Sequence, residues 1–195
     1  MPPKAELTRE KILNAAFELV REQGIEAMTT RRIAQRLQCS TQPIYSACGN
    51  MEQIREAVLA RAGECARDYM LEYRDDRYTA ALKLALGFMQ FAQMERHLFR
   101  ALYLSGYLQY DPNADLMLGE KLLGDGADAN YFRQGSRIHR LSVEQRRQVY
   151  KKLSIYLIGI GTMLNTNAMK LEMQEAADMV AEMYEMLLAK EGVGR

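Results

Sequence analysis

The stretch Thr29–Ile54, TTRRIAQRLQCSTQPIYSACGNMEQI, decides how this chain is read. Either Thr29 or Thr30 is placed to cap a short helix whose apolar face is Ile33, Ala34 and Leu37. Gln38 and Cys39 make a turn, and Ser40 stands where it can cap a second short helix. Pro43 falls in the first turn of that helix, where its missing N–H removes no intrahelical bond. Gly49 stops the helix, and Asn50 with Gln53 three residues on is a capping-box pattern that opens a third. Arg31, Arg32 and Arg36 lie in this window, and no Asp or Glu falls between Glu26 and Glu52. A compact acid-free helix pair suits a surface that lies against phosphates.

Outward from that window the periodicity stays helical. From Thr8 to Gln23 the residues Ile12, Leu13, Ala16, Phe17 and Val20 recur at three- and four-residue steps, with Thr8 as N-cap and Gly24 as stop. The helix opened at Asn50 can run unbroken to about Arg74, with Ile54, Val58, Ala62 and Cys65 along one side. Further helices are expected near 78–95, 97–109, 113–123, 142–168 and 172–190, separated by Asp111-Pro112 and the Gly-rich stretch from Gly124 to Gly135. No segment alternates like a strand, and prolines occur only at positions 2, 3, 43 and 112. An all-α protein follows, with a helix-turn-helix domain at 1–50 (running into the next helix to about 60) and a helical body at 51–195.

Composition narrows the function classes. The formal net charge of +1 excludes a globally basic nucleic-acid binder but leaves a local basic face. The most apolar run, Leu153 to Leu164, is interrupted by Gly159 and Gly161 and is well short of the ~20 residues a bilayer span needs. With no secretory signal and three scattered cysteines, a reducing cytoplasm is the expected compartment. His97 and His139 sit in no ligand spacing, Cys39 and Cys48 lack the close pairs of zinc sites, and no Gly-rich phosphate loop follows a strand. Neither an enzyme, a metal site nor a cofactor is expected. Cys48 is either a thiol exposed to oxidants or a small buried apolar residue.

Two short helices around a tight turn, braced by a first helix, make a helix-turn-helix, which seats its second helix in the major groove. Ser40, Thr41, Gln42 and Pro43 at the start of that helix would face base edges. Residues 7–60 resemble the N-terminal domain of the TetR family of one-component transcriptional regulators. The resemblance rests on the amphipathic first helix, the run Gly24-Ile25-Glu26-Ala27-Met28-Thr29-Thr30-Arg31-Arg32-Ile33-Ala34, then Leu37, Tyr45 and the capped start at Asn50. It implies double-stranded DNA as partner, with Thr29, Thr30, Arg31, Arg32, Ser40, Thr41, Gln42, Pro43, Tyr45 and Asn50 at the interface. Thr30 and Tyr45 match positions that meet phosphates, Arg31 one that can reach a base, and Ala34 a small residue that lets the helices pack closely. The chain departs from the family at Ala47-Cys48, where His or Tyr and then Phe are usual, and at Met51, where a phosphate-contacting lysine is usual.

The resemblance also implies a homodimer, an unidentified small-molecule effector, and usually repression at a palindromic operator. For the effector pocket the candidates are Phe88, Phe91, Phe99, Tyr103 and Tyr107 with Met163; Asn165 either orients the ligand or faces solvent near a helix end. For the dimer face they are Leu153, Tyr156, Leu157, Ile160 and Leu164 on one helix and Met179, Met183 and Leu187 on the last. The alternative for these stripes is burial inside one chain. The rival to a DNA-binding regulator is a degenerate relative that binds a ligand or protein and no longer binds DNA.

Overall fold

In the computed structural model residues 7–108 and 137–193 are described, and every regular element among them is helical. Eight α-helices are seen: α1 (Arg9–Gln23), α2 (Thr30–Arg36), α3 (Gln42–Cys48), α4 (Met51–Glu72), α5 (Ala80–Met94), α6 (Arg96–Tyr103), α7 (Val143–Thr166) and α8 (Met173–Lys190). Short 3-10 turns occupy Ile25–Ala27 and Arg137–Arg140. The helix expected at 113–123 and the Gly-rich stretch after it lie outside the described residues.

The chain forms two compact units, one of Met1–Arg67 with Glu95–Leu108, the other of Asp68–Met94 with Gln109–Arg195. In the first unit, the Thr8 hydroxyl accepts from Lys11 N at 3.3 Å and opens α1. Gly24, at φ 87°, closes it by donating to Val20 O at 2.8 Å, a conformation that side chains with a Cβ rarely adopt. The buried face of α1 is Ile12, Ala15, Ala16, Phe17, Leu19 and Val20, while Leu13 is only half-buried. Helices α2 and α3 pack on α1, and Ile33 and Ala34 of α2, Ile44 and Cys48 of α3, and Ile54, Val58 and Ala62 of α4 are all buried in the same unit. Helix α6 belongs to this same unit and packs on α1 and the first 3-10 turn with Leu98, Phe99, Ala101 and Leu102 buried.

Helix α6 stops at Tyr103 rather than near 109. The Ser105 hydroxyl donates to Ala101 O at 2.6 Å and accepts from Tyr107 N at 3.2 Å, and Gly106 takes φ 75°. The side chain thus replaces the helical backbone pattern and turns the chain.

In the second unit α5 packs on α7 and α8. Its core joins Leu86 and Met89 of α5 to Ile160 and Leu164 of α7 and Ala176, Ala177 and Val180 of α8. A smaller cluster gathers Ile138, Leu141, Val149, Leu187 and Leu188. Helix α7 opens with a reciprocal capping box, Ser142 Oγ accepting from Gln145 N and Ser142 N donating to Gln145 Oε1. Among the described glycines Gly87 on α5 makes the tightest backbone approach: a Cβ there would lie 2.4 Å from Tyr69 O and 2.6 Å from Met70 Cα.

This packing settles how much of the expected dimer stripe is free. Ile160, Leu164 and Leu187 are buried within the chain, and Leu153, Tyr156, Leu157, Met179 and Met183 pack partly against the two clusters. The stripe turns inward because α5, itself strongly apolar, needs a partner face. The large apolar side chains that α7 and α8 leave exposed are instead Val143, Ile155, Met163 and Met186.

Candidate nucleic-acid interface

Helices α2 and α3 are joined by a tight turn in which Gln38 takes φ 52° and Cys39 N donates to Ala34 O at 3.0 Å. Thr29 caps α2, its hydroxyl accepting from Arg32 N at 3.3 Å. Ser40 does not cap α3. That position falls to Thr41, whose backbone is helical and whose side chain makes no cap bond, so both hydroxyls stay exposed. Burial of Ile44 and Cys48 fixes which way α3 faces, leaving Thr41, Gln42, Tyr45 and Ser46 exposed and Pro43 half-buried. At the head of α4, Asn50 Oδ1 accepts from Gln53 N at 2.9 Å.

The arginines of the window divide into two kinds. Arg36 is held by Glu22 of α1 through two bonds of 2.7 and 2.6 Å, and Arg32 bonds the Gln23 side chain. The guanidinium holds the Glu22 carboxyl below its ordinary range, chiefly through those bonds. Arg31 is exposed and has no such partner among the described residues. The spacing of arginines in the sequence therefore overstates the free charge, because Glu22 lies outside the window and reaches it only through the fold.

Thr30 and Tyr45, separate in sequence, meet across the two helices with Oγ1 and the phenolic oxygen 3.0 Å apart. Thr30 is 9% exposed and Tyr45 47%. Cys48 is buried, and desolvation pushes its thiol up, which keeps it a thiol rather than a reactive thiolate. The packing reading of that residue holds.

Sequence reasoning missed Glu95. Its carboxylate is buried and takes a bidentate grip from Arg21 of α1, Nε to Oε2 at 2.8 Å and Nη2 to Oε1. Next to it, His97 Nδ1 is 3.3 Å from where a Cβ on Gly24 would lie. The signal available in the sequence was Arg21 in the last turn of α1, but its partner is 74 residues away.

The candidate effector residues do not share one unit. Phe88, Phe91, Met163 and Asn165 belong to the second, and Phe99, Tyr103 and Tyr107 to the first. Phe91 packs edge-on against Tyr69 at 5.9 Å, while Phe99 lies 5.0 Å from Tyr103 and Tyr107 carries the Arg55 guanidinium at 4.4 Å. Asn165 neither faces solvent nor sits free: it is fully buried and donates to Ala92 O at 2.9 Å, joining α7 to α5. Met163 is exposed, on the outside of α7 rather than in an apolar interior. Among the described residues no three His, Cys, Asp or Glu side chains are grouped to hold a metal. No described helix is long and apolar enough to cross a membrane.

Among the described residues the fold is thus all-helical, with a helix-turn-helix head and a helical body. Residues 12–58 match the family described as bacterial regulatory proteins, tetR family. The tetracycline repressor proteins of class D from Escherichia coli and class H from Photobacterium damsela subsp. piscicida are each 30% identical over 79 residues. That match spans 40% of this chain and only 36% of either repressor. A TetR-like transcriptional regulator from Rhodococcus sp. RHA1 has a similar fold, with a TM-score of 0.60 at 16% identity over 97% of this chain and 99% of that one. A TetR family member from Streptomyces coelicolor A3 gives 0.59 at 15% identity over 90% and 96%. The sequence match to the TetR family thus lies in the N-terminal domain, and the likeness over the whole chain is one of fold.

Proposed function

We propose that the protein is a homodimeric, effector-responsive transcriptional regulator, most simply a repressor, that reads a palindromic operator with α3. The carrying observation is the exposed face of α3, where Thr41, Gln42 and Tyr45 stand clear beside the unpaired Arg31. Ser, Thr and Gln can donate and accept toward base edges, and Gln matches the donor–acceptor pair of adenine. Arg31 supplies the charge, with Thr29, Thr30, Arg32, Ser40, Pro43 and Asn50 flanking it.

For the dimer, the outward face of α7 and α8 offers Ile155, Met163 and Met186, with Gly159 exposed between the first two and a Cβ there meeting nothing within 4 Å. That face replaces the inward stripe as the proposed interface. The effector site is proposed in the second unit, beside Phe88 and Phe91. An effector acts by favouring a dimer whose heads no longer match half-sites about 34–36 Å apart.

Selection of duplexes from a random-sequence pool tests the reading. A palindrome should emerge, and Arg31→Ala should weaken its binding while leaving the dimer intact. If no palindrome emerges and bulk duplex shows no salt-dependent binding, the chain is instead a ligand- or protein-binding relative without DNA recognition, a reading that Met51 and Ala47-Cys48 would then explain.

A further inference from the structure

We propose that Glu22 is an intramolecular stand-in for a phosphate, occupying the donors of Arg36 and so lowering the grip of the head on the DNA backbone. It rests on the reading of the head as a DNA reader and concerns how tightly that reader holds. The Arg36 guanidinium donates through Nη1 to Glu22 Oε2 at 2.7 Å and through Nη2 to Glu22 Oε1 at 2.6 Å. Two parallel bonds from one fork are also how an arginine takes two phosphate oxygens, so the carboxylate fills the place of that ligand. The Arg36 and Glu22 side chains are 36% and 47% exposed, so neither is shielded from a duplex lying on α2.

Helix α2 is seven residues long. At 1.5 Å per residue, Arg36 lies about 7.5 Å along its axis from Arg31. That is within the ~8 Å screening length at physiological salt, so a free charge there adds to the field that a duplex on α2 meets. Arg32 supplies the contrast, since it bonds the Gln23 side chain, a neutral amide that leaves its charge uncancelled. Glu22 cancels a charge, and Glu18, one turn earlier on α1, adds to the negative field at Arg36. Exchange of partners does not lift the effect. A phosphate that displaced the carboxylate would leave Glu22 as an unpaired anion beside it, a like-charge juxtaposition that opposes docking.

The test is the salt dependence of binding by the full-length protein to a random-sequence duplex and to a palindrome selected from a random pool. Glu22→Gln removes the carboxylate's charge and frees Arg36 for one phosphate in each half-site. For a dimer, the plot of log K against log salt should steepen by about 1.8. The steepening should be equal on both duplexes, because phosphate contacts carry no sequence information. Adding Arg36→Gln to Glu22→Gln removes both charges and should return the slope to that of the unaltered protein. A slope that Glu22→Gln leaves unchanged, or a gain that survives the added Arg36→Gln, would overturn the masking while leaving DNA reading intact. A gain confined to the palindrome would overturn it too. Salt-dependent binding by none of the three proteins would overturn both the masking and the DNA reading.

Discussion

Gly87→Ala and Gly63→Ala are the same chemical change in two helices, and they should move stability in opposite directions. At Gly63, on the exposed side of α4, an added methyl meets nothing within 4 Å. Only the intrinsic gain of Ala over Gly in a helix remains, about 0.5–1 kcal/mol. At Gly87 the same methyl would lie 2.4 Å from Tyr69 O, 2.6 Å from Met70 Cα and 3.0 Å from Met70 N, where ordinary contact begins near 3.4 Å. All three atoms are backbone of α4, so no side chain can rotate away and α4 and α5 must separate. Overpacking of this kind costs about 1–3 kcal/mol, and the rigid neighbours place it at the upper end. After subtracting the propensity gain, a net loss of about 2 kcal/mol is expected. For a domain of this size that is a fall of roughly 4–8 °C in melting temperature, against a rise of roughly 1–4 °C for Gly63→Ala. Thermal unfolding followed by circular dichroism on the two variants and the parent measures both. If Gly87→Ala melts at or above the parent, the close crossing of α4 and α5 is wrong.

Four further outcomes are expected. Glu95→Gln leaves Arg21 without its counter-charge; because Arg21 is 44% exposed, water offsets much of the loss, and urea titration should show about 1–2 kcal/mol of destabilisation. Glu22 is held below the ordinary carboxylate value of 4.5 by Arg36, so its contribution is present above that pH and lost as the pH falls through the lowered value. Stability measured against pH should accordingly fall less steeply below pH 4.5 in Glu22→Gln than in the parent. Met186→Glu on the outward face of α8 should shift sedimentation from dimer to monomer without changing helix content; an unchanged dimer would remove that face as the interface. Met51→Lys restores a cation at the head of α4, and one added phosphate contact in each half-site should steepen the dependence of log K on log salt by about 1.8.

The head was legible from sequence because its determinants are local. Caps at Thr8 and Thr29, the stop at Gly24, and the buried positions Ile33 and Ala34 follow from spacing within a few residues. What was not legible depends on partners distant in the chain. Arg36 looks free until Glu22 is brought beside it, and Asn165 looks open to a ligand or to solvent until its amide is found donating a hydrogen bond to Ala92 O. The inward packing of Ile160 and Leu164 was hidden for the same reason: periodicity reports that they are apolar on one face, not which apolar face meets them. Helix α5 competes for that face and wins, which displaces the exposed positions to Ile155 and Met163.

The packing of α6 on α1 bears on how such chains diversify. The unit that carries α2 and α3 is built from two separate stretches of polypeptide, with Asp68–Met94 inserted between them. A recombination event with a single crossover after α4 would join a new head to an old α6. It would have to match Arg21 with a foreign residue at position 95 and fit Leu98 and Phe99 against an unfamiliar α1. Under the proposed function, exchange of DNA specificity is thus easier by substitution on the exposed face of α3 than by swapping whole heads.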